Sequence, residues 1–213
     1  MEFNEFKASI SKVKKLSLPG ENIQLKMAPV ERLNELKLAA ITSKKVNRAG
    51  VMVLFYPTLK NETNLILILR KTYKGVHSGQ VGFPGGRFEK EDNDLQQTAL
   101  RETEEEIGVP RNKINVLKQL TEMYIPPSNF IVHPYLGFSD YTPQFIAQPS
   151  EVEDLIEVKL THFLDDSNIC SQTLSTSYAK NIQVPAYQLN GHVVWGATAM
   201  ILSEVRHLLK EVL

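Results

Sequence analysis

Residues 85–109, GGRFEKEDNDLQQTALRETEEEIGV, admit few structures because they crowd like charges onto one short segment. Two glycines open the stretch, an acidic loop follows, and a helical register then carries Arg101, Glu102, Glu104, Glu105 and Glu106. At about 100° per residue, Glu102, Glu105 and Glu106 fall within roughly one 100° arc, and Glu104 points away from it. Like charges at this spacing destabilise a helix. A hard divalent cation reverses the sign, since Mg²⁺ takes oxygen ligands and shares them with phosphate oxygens. A solvated acidic face is the plainer alternative for such a run. The helix itself is expected from about Leu95 to Ile107, with Leu100, Thr103 and Ile107 turned inward. Asp92 and Asp94 suit its positive dipole end. Gly108 suits a left-handed cap, and Pro110 prevents continuation.

The preceding run, His77–Gly86 (HSGQVGFPGG), places four glycines and a proline in ten residues. Glycine at that density permits close backbone approach to a ligand, and a plain turn would look the same. Directly before a carboxylate helix it reads as a loop that presents backbone to a bound group. His77 and Gln80 are candidates for touching substrate, and each also has an ordinary structural reading.

Taken together, Gly86, Arg101, Glu102, Glu105, Glu106 and Gly108 resemble the Nudix box, G-x5-E-x7-R-E-U-x-E-E-x-G-U with U aliphatic. Asp92 stands where the family has its first Glu, eight residues rather than seven precede Arg101, and Thr103 replaces the aliphatic residue. The lengthened spacer, the Asp and the HSGQVGFPGG leader are similar to the coenzyme A pyrophosphatase branch of that family. PPSNFIVHPYLGF and VVWGATAMIL are also similar to it, so the resemblance spans roughly residues 48–205. That branch usually carries a second arginine near residue 75. Gly75 occupies the position here, with Lys74 beside it as a candidate substitute.

The resemblance implies a metal-dependent hydrolase that cleaves coenzyme A or an acyl derivative into 3′,5′-ADP and a 4′-phosphopantetheine. Mg²⁺ or Mn²⁺ would be held by the Gly86 carbonyl, Glu102, Glu105 and Glu106, and Arg101 would orient a glutamate rather than touch substrate. Arg70, Lys71 and Lys74 are candidates for the substrate phosphates. The general base is open among the box glutamates, Glu151 and Glu153, because a base is identified by its geometry to the attacking water. ADP-ribose, a nucleotide sugar or a nucleoside triphosphate is the alternative substrate, and a non-catalytic Nudix-like binding module is the alternative of another class.

The rest of the chain sets the frame. Its 213 residues favour one domain, read as an N-terminal helical arm over 1–45 and a hydrolase domain over 46–213. The arm is split at Pro19-Gly20; Phe3, Phe6, Ile10 and Val13 form one amphipathic stripe, and Leu33, Leu36 and Leu38 a looser one. It can pack on the domain or serve a homodimer. Strands are expected at 48–56, 65–69, 114–124, 130–138 (interrupted by Pro134), 152–160, 182–187 and 193–195, and a closing helix over 196–213. This pattern predicts an α+β fold, a mixed sheet between helices. Lys plus Arg equals Asp plus Glu at 24 each, so no global field attracts nucleic acid or an anionic membrane. One cysteine, Cys170, and an N-terminus without an apolar signal region fit a cytoplasmic setting.

Overall fold

The strand 47–57 is apolar almost without alternation, the mark of a strand covered on both faces, and the architecture follows from it. The computed structural model describes residues 1–29, 46–72, 77–174 and 181–213. Within these, β1 (Asn47–Pro57) pairs antiparallel with β2 (Thr63–Arg70) and parallel with β7 (Phe130–Ser139). The mixed sheet runs β3 (Val81–Gly82), β2, β1, β7, β5 (Ile114–Gln119). Three strands join it off this path: β4 (Gly85–Arg87) on β1, β6 (Met123–Ile125) on β7 and β8 (Val152–Lys159) on β2.

Each face of the sheet builds its own core. Ala49, Val53 and Phe55 of β1, with Leu65 and Leu67 of β2, face α1 (Phe3–Ile10) and α4 (Gly196–Val212). The intervening Met52, Leu54 and Tyr56, with Ile66 and Ile68, face α3 (Leu95–Ile107) through Leu95, Ala99, Leu100 and Ile107. This is the expected α+β sandwich.

The described part of the N-terminal segment packs on the domain. Phe6 packs against Phe55 with ring centroids 4.9 Å apart and the rings tilted by 49°, and Lys118 Nζ donates to the Leu16 carbonyl at 2.5 Å. After Pro19, the short α2 (Glu21–Gln24) is tied to α4, where Gln24 Nε2 donates to the buried carboxylate of Glu204 at 2.8 Å. The predicted stripe of Leu33, Leu36 and Leu38 lies outside the described residues.

Several strands differ from expectation. The stretch 114–124 is two strands rather than one. Leu120 N donates to the Pro134 carbonyl at 2.8 Å, but proline has no N–H to return, so the β5 ladder stops there and β6 resumes at Met123. Thr121 in the gap bonds Glu204 instead, its hydroxyl donating at 2.6 Å. Pro134 does not interrupt β7, which stays paired with β1 along its length. Residues 81–82 and 85–87 in the glycine-rich run form short strands rather than a bare loop. A strand at Ile169–Leu174 (β9), not anticipated, forms a small second sheet with β10 (Ile182–Leu189) and β11 (His192–Trp195). The expected turn at Asn190-Gly191 joins the latter two, with φ of 48° and 82°.

The helix α3 lies on β1 at a contact that tolerates no side chain. A Cβ built on Gly50 would overlap the Leu95 carbonyl oxygen and lie 2.9 Å from Ala99 N, both main-chain atoms that cannot rotate aside. Gly50→Ala is therefore expected to destabilise the fold by about 3 kcal/mol, read as a lower urea midpoint at unchanged slope.

Candidate active site

The acidic helix is built as its sequence dictates. Asp94 caps it, accepting from Gln97 N at 2.8 Å, and Gly108 ends it at φ 74°, a left-handed conformation that costs glycine nothing. Thr103, in the place of an aliphatic residue, is fully buried and returns its hydroxyl to the Ala99 carbonyl at 2.6 Å. Glu104 leaves the acidic face and pairs with Arg111 at 2.8 Å.

Arg101 organises the carboxylates around it. Its Nε and Nη2 grip Asp92 at 2.9 and 3.0 Å, Nη2 also reaches the Arg87 carbonyl at 3.1 Å, and Nη1 donates to Glu102 and Glu105, each at 2.9 Å. A guanidinium has five N–H donors, and these five bonds take them all. Asp92 also accepts from Glu89 N and the Thr98 hydroxyl. The Arg101 hydrogen bonds outweigh burial and hold the Asp92 carboxyl down at about 2.

Three carboxylates converge where the helix meets the glycine loop. One oxygen each from Glu102, Glu106 and Glu151 lies within 4.8 Å of the others. Glu102 sits against Gly86, where an added Cβ would overlap its carboxyl group. Glu106 is 1% exposed; its Oε2 accepts from Gly85 N at 2.8 Å, and its Oε1 has no hydrogen-bond partner among the described residues. Burial pushes the Glu106 carboxyl up to about 7, against the pull of Arg70 and the Gly85 N–H. Burial likewise raises Glu102, opposed by Arg101. Clustered oxygens, a buried oxygen without a hydrogen bond and a side-chain-free position at Gly86 fit a hard divalent cation.

Glu151 arrives from outside the box. Gln148 N and Ile146 N donate to the Glu106 and Ile107 carbonyls at 2.9 and 3.0 Å, fastening the 146–151 loop to the end of α3. Lys71 N donates to the Glu151 carbonyl at 2.9 Å from the other side. Between Leu69↔Asp154 and Arg70↔Val152 the β2–β8 register skips Glu153. That bulge sends Glu153 to Lys71 Nζ at 2.7 Å while Glu151 joins the cluster. Sequence reasoning held the two as equal candidates.

The remaining predicted residues divide. Glu105, half exposed, is held by Arg101 and is not in the three-carboxylate group. Arg70 reaches Glu106, Nη1 to Oε1, at 3.5 Å. His77 takes a positive φ of 68°, and its Nδ1 lies 3.0 Å from Gln80 Oε1; the Gln80 carbonyl in turn accepts from Arg70 N at 3.0 Å. Lys74 lies outside the described residues. A surface groove of about 610 Å³ beside the β1–β2 turn, lined by Tyr56, Phe145 and Glu157, shares no residue with the cluster. No helix of the described residues is long and apolar enough to cross a membrane.

Comparisons with known proteins address the chain and its fold as a whole. The model of the NUDIX domain covers residues 46–169. The uncharacterized Nudix hydrolase NudL of Photorhabdus laumondii is 31% identical over 159 residues, 75% of this chain and 84% of its own length. Its namesake from Yersinia pestis is 33% identical over 166 residues, 78% of this chain and 79% of its own. Among solved structures, a MutT/nudix family protein from Enterococcus faecalis superposes with a TM-score of 0.53 at 17% identity, covering 89% of this chain and 73% of that one. RenU, a Nudix hydrolase from M. smegmatis, gives 0.53 at 13% identity, covering 78% and 86%. At these identities the structural likeness speaks for the fold alone. With the domain model spanning more than half of the chain and relatives above 30% identity across three quarters of it, this chain belongs to the Nudix family.

Proposed function

We propose that this chain is a divalent-metal-dependent pyrophosphohydrolase, with Mg²⁺ or Mn²⁺ as the ion. The proposed substrate is coenzyme A or an acyl-coenzyme A, cleaved to 3′,5′-ADP and the corresponding 4′-phosphopantetheine. The observation that carries the chemistry is the convergence of Glu102, Glu106 and Glu151 within 4.8 Å, beside Gly86. Those three residues, with the Gly86 carbonyl, would hold the cation; Glu105, the remaining glutamate of the predicted set, lies outside the group. A bound divalent ion neutralises phosphate oxygens and eases deprotonation of water.

The chain's own groups divide the remaining work. Arg101, with every donor taken, positions Glu102 and Glu105 and has none left for substrate. Glu105 and Glu153 both lie outside the three-carboxylate group and both pair with a cation, but the partner of Glu105 is Arg101, which also holds Glu102 of the group, whereas that of Glu153 is Lys71. Glu105 is therefore our candidate for the base that accepts the proton of the attacking water. As that water's oxygen bonds to phosphorus, the P–O bond of the diphosphate breaks and its electrons leave with the departing phosphate. His77 and Gln80, joined to the Arg70 backbone, and Arg70 itself are the substrate-side candidates.

The coenzyme A assignment rests on HSGQVGFPGG and the lengthened box. Gly75 departs from that branch, which favours ADP-ribose, a nucleotide sugar or a nucleoside triphosphate as the second reading. Mass analysis of products from a panel of these compounds with Mg²⁺ or Mn²⁺ decides. Release of 3′,5′-ADP from coenzyme A alone is the expected result; faster cleavage of another diphosphate moves the substrate, and inactivity of folded protein across the panel removes the enzyme reading.

Metal binding should also follow pH. With the Glu106 carboxyl near 7, a cation must displace a proton below that pH and no longer has to above it. The apparent affinity for Mn²⁺ is expected to fall up to about tenfold per pH unit from 7 to 5 and to level off above 7, as followed by calorimetry.

A further inference from the structure

Arg70 and Glu106 meet in a contact that neutralises charge without engaging the carboxylate as a hydrogen bond would. Their Nη1–Oε1 separation is 3.5 Å, with the Glu106 side chain 1% exposed and the Arg70 side chain 29% exposed. Arg101 differs: all its donors are committed, and its side chain is 11% exposed. The Arg70 backbone is fixed, since its N–H donates to the Gln80 carbonyl at 3.0 Å and it stands at the β2–β8 register shift. Bulges re-aim side chains beside active sites. What can move is the guanidinium, at the end of a side chain that is partly exposed.

The Glu106 oxygen that Arg70 faces is the one without a hydrogen bond among the described residues, and its other oxygen is occupied by Gly85 N. A cation among Glu102, Glu106 and Glu151 would claim that same free oxygen, and two positive groups on one oxygen repel. We infer that Arg70 is a displaceable counter-ion: it stands at Glu106 in the metal-free protein, and metal loading turns it toward the diphosphate of the substrate. The inference rests on the reading of Glu106 as a metal-holding group. A guanidinium matches phosphate bidentately, so release from Glu106 prepares the substrate side of the site as the metal side fills. Arg70 thereby opposes metal binding and promotes substrate binding, two effects of opposite sign from one residue.

The test is Mn²⁺ calorimetry on the metal-free full chain without substrate, comparing wild type, Arg70→Gln, Arg70→Lys and Glu106→Gln. Arg70→Gln is expected to bind Mn²⁺ about three- to tenfold more tightly than wild type. Arg70→Lys, which keeps the charge, should stay within about twofold, and its circular dichroism and that of Arg70→Gln should match wild type. On the panel diphosphate that wild type cleaves fastest, KM should rise about tenfold or more in Arg70→Gln. Unchanged or weaker Mn²⁺ binding in Arg70→Gln, alongside weakened binding in Glu106→Gln, would overturn the counter-ion role and leave the metal centre standing. Mn²⁺ binding that ignores Glu106→Gln would overturn both. Tighter metal binding with an unchanged KM would overturn the transfer to substrate.

Discussion

Glu106→Gln is expected to lower turnover about 10³-fold, the scale on which a preorganised electrostatic group in an active site acts, while making the metal-free protein more stable. Glutamine is the same size and still offers an oxygen to Gly85 N, but it carries no charge into a buried site shared with Glu102 and Glu151. The sign follows from the raised carboxyl, near 7 when folded against an ordinary 4.5. Below 4.5 the group is neutral in both folded and unfolded chains and costs nothing. Between 4.5 and 7 the unfolded chain ionises first, so wild-type stability falls as pH rises, and above 7 the cost is constant at about 3 kcal/mol. Urea denaturation in the presence of a chelator should therefore show the variant equal to wild type near pH 4 and more stable by about 2–3 kcal/mol at pH 8. Adding Mn²⁺ should restore wild-type stability and leave the variant little changed. A glutamate kept for structure would give the opposite result, lower stability at every pH, and that outcome would sink the metal-centre reading.

What the sequence disclosed and what it withheld divide on physical grounds. The acidic helix was legible to its ends because its signals are local: Asp94 at the cap, Gly108 past the last turn and the apolar stripe between them. The two-faced sheet was legible from the unbroken apolar runs of β1 and β2. Pro134 misled because a proline's effect depends on which neighbour its missing N–H would have reached. It cut the ladder of the adjacent strand at Leu120 and left its own strand whole. Glu151 and Glu153 were inseparable by pattern, since residues two apart share a face on a regular strand. Only the register shift opposite Arg70 sends one to the cluster and the other to Lys71. The partition of Arg101 was half visible: pairing with nearby carboxylates follows from spacing, but saturation of all five donors depends on how the 87–92 loop closes over the helix.

Breaking that closure carries a large expected loss of stability together with a loss of activity. Asp92→Asn should cost about 3 kcal/mol at pH 7, because removing one charge of a buried pair strands the other. Asp92 accepts four hydrogen bonds, two of them from Arg101, and its side chain is 3% exposed. An amide replaces one acceptor oxygen with a donor facing other donors. Arg101 then has no counter-charge on that side and turns further to Glu102 and Glu105, so their placement loosens and turnover should also fall, by about tenfold or more. The pH dependence separates this from a packing defect. Asp92 is held at about 2 against an ordinary 3.8, so its contribution is present above 3.8 and is lost as pH falls through 2. The gap in urea midpoint between wild type and variant should stay constant from pH 7 to about 4 and narrow below it. A gap that persists at pH 2 would assign the loss to shape rather than charge, and no gap at pH 7 would mean that Arg101 draws its support from Glu102 and Glu105 alone.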